Sequence, residues 1–203
     1  MRFDLAIIAS WVEPGAKVLG LGCGEGELLH FLKTHKQIYE TGIEIVESKV
    51  AKCIEKGINV VQGDLNREME DYPDNAFDYV ILSQTLQQVY EPEHVINSML
   101  RVGKRGIVSF PNFGYWKVRA QILFSGRAPI TEQLPYQWYN TPNIRVLSIR
   151  DFREFATNME IRIIKEAATS PGRTPYTGTV IRFAPNLFAT YGIFLLEKEI
   201  SSA

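Results

Sequence analysis

The chain has 203 residues, 45% of them apolar and 22% charged, and its formal net charge is -1. That length allows a sizeable core, and the near-zero charge offers no electrostatic footprint for a polyanion, so no nucleic-acid partner is expected. Two cysteines suggest neither a disulfide framework nor a metal site, and three histidines lack ligand spacing. No apolar run reaches membrane-spanning length and no charged start leads into an apolar leader, so no membrane association and a cytoplasmic location are expected.

The predicted elements alternate along the first half. Phe3 to Trp11 reads as a short helix with Leu5, Ile8 and Trp11 on one side, and Pro14-Gly15 turns the chain into a first strand near Lys17. A helix over Leu28 to His35 follows, then a strand over Ile38 to Ile43 and a helix over Ser48 to Lys56 closed by Gly57. Asn59 to Gln62 is a third strand, Asp71 to Asn75 a loop, and Phe77 to Ser83 a fourth strand. Pro92 opens a helix that buries Val95, Ile96, Met99 and Leu100, and Gly106 to Phe110 is a fifth strand stopped by Pro111. Five alternations of strand and helix predict an α/β fold with a doubly wound, mostly parallel sheet.

Beyond Pro111 the texture changes. Tyr115 to Phe124 reads as helix, and Arg127 to Asn143 is rich in Pro, Tyr and Trp. Ser148-Ile149-Arg150-Asp151-Phe152 starts another helix, with Ser148 a candidate N-cap. Ile161 to Lys165 and Gly192 to Glu197 are expected to be closing strands, with a mobile loop over Thr169 to Thr179. A single domain over 1–203 is expected, with 1–110 as a nucleoside-binding half and 111–203 as an aromatic-rich lid and closing strands.

The chemistry is concentrated between the first strand and its helix. Gly22, Gly24 and Gly26 alternate in Gly20-Leu21-Gly22-Cys23-Gly24-Glu25-Gly26, where backbone at φ > 0 brings main-chain N–H groups close to a ligand. This G-x-G-x-G spacing matches neither the dinucleotide fingerprint nor the P-loop. Cys23 sits between two of the glycines, where a small side chain fits, and reads as structural. Glu44 ends the second strand, roughly 20 residues past the glycines, where a carboxylate can hold a ribose diol. Asp64 ends the third, where an acid can accept from an adenine amino group. Gln84, after the fourth strand, either touches the ligand or only pairs backbone.

This order of loop and acids resembles the class I S-adenosylmethionine-dependent methyltransferases. That resemblance implies S-adenosylmethionine as cofactor and Gly22, Cys23, Gly24, Gly26, Glu44, Ile45, Asp64, Leu65 and Gln84 as its binding residues. The family usually carries an acid two residues before the first loop glycine. Here that position is Gly20, which removes negative charge near the cofactor's ammonium and implies weakened binding. No catalytic residue is readable, and methyl transfer by positioning alone does not need one.

Several further stretches resemble the MetW family of methionine-biosynthesis proteins, from Arg2 to about Lys165. They are Arg2 to Trp11, Gly57 to Leu65, Ser83 to Gln87, Val108 to Gly114, and Leu134 to Ile144. This second resemblance implies a methyltransferase-like protein that acts beside a homoserine O-acyltransferase. Two readings stand: the accessory partner of that enzyme that the resemblance implies, or a working methyltransferase on a small polar metabolite. The aromatics of Phe113 to Trp116 and Tyr136 to Tyr139 either cap the end of the sheet or form a lid or docking surface.

Overall fold

The computed structural model describes residues 1–198. Eight strands form one sheet: β1 (Lys17–Leu21), β2 (Tyr39–Glu44), β3 (Val60–Gln62), β4 (Phe77–Ser83), β5 (Gly103–Pro111), β6 (Ile161–Pro171), β7 (Gly178–Val180) and β8 (Tyr191–Lys198). They lie in the order β3-β2-β1-β4-β5-β8-β6-β7. The first five are parallel, while β8 pairs antiparallel with both β5 and β6, and β7 extends β6 as a hairpin. The order reverses between β1 and β4, the switch point at which a doubly wound sheet opens a crevice outside its strand ends.

Both faces of the sheet are covered, so the central strands are apolar almost throughout. Alternate side chains serve different layers. Leu19, Leu21, Val80, Leu82, Val108 and Phe194 pack on one face with α4 (Leu65–Glu70), α5 (Pro92–Val102) and α7 (Ile149–Asn158). Val18, Tyr79, Ile81, Ile107, Ile193 and Leu195 pack on the other with α1 (Phe3–Trp11), α2 (Glu27–Lys36) and α3 (Glu47–Glu55). Two further helices, α6 (Trp116–Ser125) and the short α8 (Pro185–Phe188), lie in the second half.

Local signals account for most boundaries. Pro92 occupies the first turn of α5. Ser148 accepts from Asp151 N–H while Asp151 accepts from Ser148 N–H, a capping box that starts α7. Gly57 takes φ +70° just past α3, as a helix-ending glycine does.

The expected loop over Thr169 to Thr179 is corrected. Thr169, Ser170 and Pro171 pair with Val180, Thr179 and Gly178, so only the tip of a hairpin is turn. Thr169 is fully buried, and burial obliges the backbone there to find ladder partners. The helix α4 was not expected either. Six residues carry little periodicity, and Asp64 caps it by accepting from Asn66 N–H at 2.8 Å.

Candidate functional site

The glycine loop leaves β1 at the switch point. Gly22, Gly24 and Gly26 take φ of +58°, +59° and +72°. At Gly22 glycine is required twice over, because a Cβ there would also lie 3.0 Å from Thr85 Oγ1. The loop is held from below by Glu44, whose Oε2 accepts from Gly24 N–H at 2.8 Å and whose Oε1 accepts from Val46 N–H at 3.0 Å. Its outer side is fastened to α3. Lys56 donates to the Glu25 carbonyl at 2.6 Å, and a hydrogen bond from Lys52 holds the Glu25 carboxyl below its ordinary range.

Two cavities flank this loop and share Gly22, Ser83 and Gln84 as a common wall. One, of about 420 Å³, gathers Glu44, Ile45, Asp64 and Leu65 from the ends of β2 and β3, together with Lys49 and Tyr90. The other, of about 370 Å³, lies over Gly20, Cys23 and Gly24 and is bordered by Arg2, Glu27 and Lys56. Eight of the nine residues expected from sequence therefore line one or both of these adjoining cavities. Gly26 does not. It turns the loop into α2, and a Cβ there would meet Cys53 Sγ at 3.0 Å.

The acids differ in their commitments. Glu44 is 5% exposed, with one backbone N–H on each oxygen. A carboxylate has roughly four acceptor positions, so capacity for hydroxyl donors remains. Asp64 is exposed and gives Oδ1 to Asn66, both as cap and as side-chain partner. Beside them Ile45 and Tyr90 expose 64% and 80% of their surface, a flat apolar margin suited to a planar ring.

Gln84 is the residue that geometry singles out. It takes φ +54°, uncommon for a residue with a side chain and characteristic of sites where local strain is retained. Its N–H donates to the Ser109 carbonyl at 2.7 Å, and its own carbonyl accepts from the Gln87 and Gln88 amides. Its side-chain amide donates to Asp4 Oδ2 at 2.7 Å. Asp4 is 6% exposed and also accepts two bonds from Arg2. Sequence reasoning missed Arg2 and Asp4, because nothing local distinguishes them from the polar start of an amphipathic helix.

Gly20 has a packing explanation. It pairs with Gly42 across β1 and β2, and the room left by the two glycines is filled by Cys23 and Leu29. A Cβ at Gly42 would meet Cys23 Sγ at 2.6 Å, and one at Gly20 would meet Leu29 Cδ1 at 3.1 Å. Cys23 Sγ also lies 3.9 Å from Cys53 Sγ, and burial pushes both thiols above their ordinary range. They are packing groups rather than nucleophiles, as the sequence implied for Cys23. Among the described residues no cluster of His, Cys, Asp or Glu could hold a metal ion. No helix among them is long and apolar enough to cross a membrane.

The family described as Methionine biosynthesis protein MetW matches residues 2–196. The Bifunctional methionine biosynthesis protein MetXA/MetW of Rhodopirellula baltica is 34% identical over 175 residues, covering 82% of this chain and 28% of that protein. The chain thus spans well under half the length of that relative. Among solved structures, a SAM-dependent methyltransferase of Thermotoga maritima superposes with TM-score 0.71 at 17% identity, covering 97% of this chain and 87% of the other. One from Archaeoglobus fulgidus gives 0.71 at 16%, covering 96% and 91%. These likenesses carry the fold, that of the class I methyltransferases.

Proposed function

We propose, for a chain that belongs to the MetW family of methionine-biosynthesis proteins, that it is an accessory protein of that route, acting with a homoserine O-acyltransferase and binding an adenosyl ligand in the switch-point cleft. The observation that carries the partnership is the Rhodopirellula relative, whose name joins MetXA and MetW in one chain. Joining two units in one chain keeps each at high effective concentration for the other, which favours units that work together.

A surface suited to such contact is available. In α6, Ile122, Leu123 and Phe124 are 52%, 76% and 85% exposed, and Trp138 and Tyr139 are 75% and 70% exposed. Single exposed apolar residues are ordinary, but a run of them with two large aromatics is the composition of an interaction surface. Trp138 and Tyr139 touch edge to face and so stiffen one another, which lowers the ordering cost of binding.

In the cleft, Glu44 would hold the ribose and Asp64 the adenine amino group, with Ile45 and Leu65 beside the ring. Gly22, Cys23 and Gly24 would pass under the ligand. Gly26 would act by setting the turn into α2, and Gln84 would sit at the boundary of the two cavities. On the methionyl side, Arg2 and Lys56 offer cations for a carboxylate and Glu27 an acid for an ammonium. S-Adenosylmethionine fits that donor set, with a glycine rather than an acid at position 20. When bound, it would supply an electrophilic methyl group.

Titration with S-adenosylhomocysteine tests the cleft, and co-purification with the homoserine O-acyltransferase of the same organism tests the partnership. No heat of binding would remove the first, and no association would remove the second. The intact cleft also favours a second reading, an active methyltransferase on a small polar metabolite. Turnover of S-adenosylmethionine with a metabolite, in the absence of any acyltransferase, would put that reading in place of the first.

A further inference from the structure

A third cavity, of about 140 Å³, lies on the far side of Arg2 and Asp4 from the cleft, between the start of α1, the β6–β7 hairpin and the chain at Glu132. Its walls carry Arg2, Asp4, Glu132, Thr169, Arg173 and Tyr191. Thr169 is fully buried, and its hydroxyl has no hydrogen-bond partner among the described residues. Buried hydroxyls without a partner are rare and destabilising, and each one calls for a ligand, a water or a functional reason.

The charges around that hydroxyl are of both signs. Arg173 and Glu132 form no ion pair among the described residues, although both border the same small space. Tyr191 stays a neutral phenol, pushed up to about 12 by burial and then by the Asp4 charge, so it can donate as well as accept. Glu132, Gln133, Pro171 and Gly172 also border a wider groove of about 390 Å³, which leaves one side open for a substituent. Opposed charges without an ion pair among the described residues, bordering one small cavity with the Tyr191 phenol, match a small molecule that carries both an anion and a cation.

We propose that this cavity binds the zwitterionic head group of an α-amino acid, its carboxylate toward Arg173 and Arg2, its ammonium toward Glu132, and one polar atom on Thr169. The proposal goes beyond the adenosyl cleft and does not depend on it. Arg2 borders both spaces, which places the amino acid beside the methionyl end of the cleft.

The test is calorimetric titration of the wild-type protein with glycine, L-serine, L-homoserine and L-methionine. The same protein is titrated with 4-hydroxybutyrate and 3-aminopropan-1-ol, which are homoserine without its ammonium and without its carboxylate. At least one amino acid should bind, and homoserine should exceed both half-molecules by about tenfold or more. Arg173→Gln and Glu132→Gln, both at exposed positions, should each weaken the amino acid by about tenfold with the melting temperature unchanged. Thr169→Val should weaken it as well. If none of the four amino acids binds, or the half-molecules bind as well as homoserine, the proposal is overturned. If Thr169→Val only raises the melting temperature, the hydroxyl is an unused polar group and the site does not exist. Titration with S-adenosylhomocysteine in parallel separates this outcome from failure of the cleft.

Discussion

Gln84 and Asp4, 80 residues apart in the chain, meet through a 2.7 Å bond from the Gln84 amide to Asp4 Oδ2. The bond ties the end of β4 to α1 and sets the wall between the cleft and the cavity beyond it. Asp4 also carries Arg2 through bonds of 3.2 and 2.8 Å. Asp4→Ala leaves an amide and a guanidinium without their acceptor. Hydrogen bonds to a charged group contribute about 1.5–3 kcal/mol, and a chain of this size loses roughly 2–4 °C per kcal/mol. The expected fall in melting temperature is therefore about 3–12 °C, with a smaller fall for Asp4→Asn. A variant that melts within about 2 °C of wild type would show that the cluster holds nothing.

Glu44 supports the glycine loop in addition to its proposed role toward the ribose, so Glu44→Ala should act on two readouts. Loss of charged bonds to Gly24 and Val46 lowers stability by about 2–3 kcal/mol, and affinity for S-adenosylhomocysteine should fall by about 1.5–3 kcal/mol, tenfold or more. Asp64→Ala should weaken the ligand too, with about 0.5–2 kcal/mol of stability lost from the α4 cap. Unchanged affinity in both variants would mean that the adenosyl ligand does not lie along these strand ends.

Restoring an acid at Gly20 should not strengthen binding. The space in front of Gly20 holds Leu29 and Cys23, at 3.1 and 3.3 Å from a built Cβ. A carboxylate placed there is buried without a partner, and Gly20→Asp should cost roughly 3 kcal/mol or more of stability. Melting temperature and S-adenosylmethionine affinity, measured on the same preparation, decide the point. A well-folded variant that binds more tightly would show instead that charge, and not packing, governs this position.

Trp138→Ala separates contact from packing in the aromatic segment. With 75% of its surface exposed, Trp138 cannot lose the ~3–5 kcal/mol of a buried aromatic truncation, and its removal should change stability by less than about 1 kcal/mol. Co-purification with the homoserine O-acyltransferase should fall sharply. Retention of the complex by Trp138→Ala and by a Leu123→Ser, Phe124→Ser double variant would place the contact elsewhere.

Much of this was readable from residue order. The β1 glycine loop, the acids Glu44 and Asp64 at successive strand ends, and the alternation of apolar runs were sufficient for a doubly wound, mostly parallel sheet. These features are local: strand burial, helix capping and positive φ at glycine act within a few residues, so short stretches record them. Boundaries agreed within a residue or two for α1, α2, α3 and β4, where an apolar face or a cap such as Gly57 sets the end.

What residue order could not decide was set by contacts between distant segments. The pairing of Gly20 with Gly42, with Cys23 and Leu29 filling the space in front of them, gives a packing reason for glycine at position 20 that residue order does not show. Thr169, itself buried, belongs to a paired strand rather than a loop because its partners, Val180 and Tyr191, lie 11 and 22 residues further on. The burial of Asp4, its hold on Gln84 and the exposure of Trp138 are likewise tertiary. Each depends on where the fold sets the segment against the rest of the chain, and side-chain exposure and long-range hydrogen bonds leave no periodic trace in the sequence that makes them.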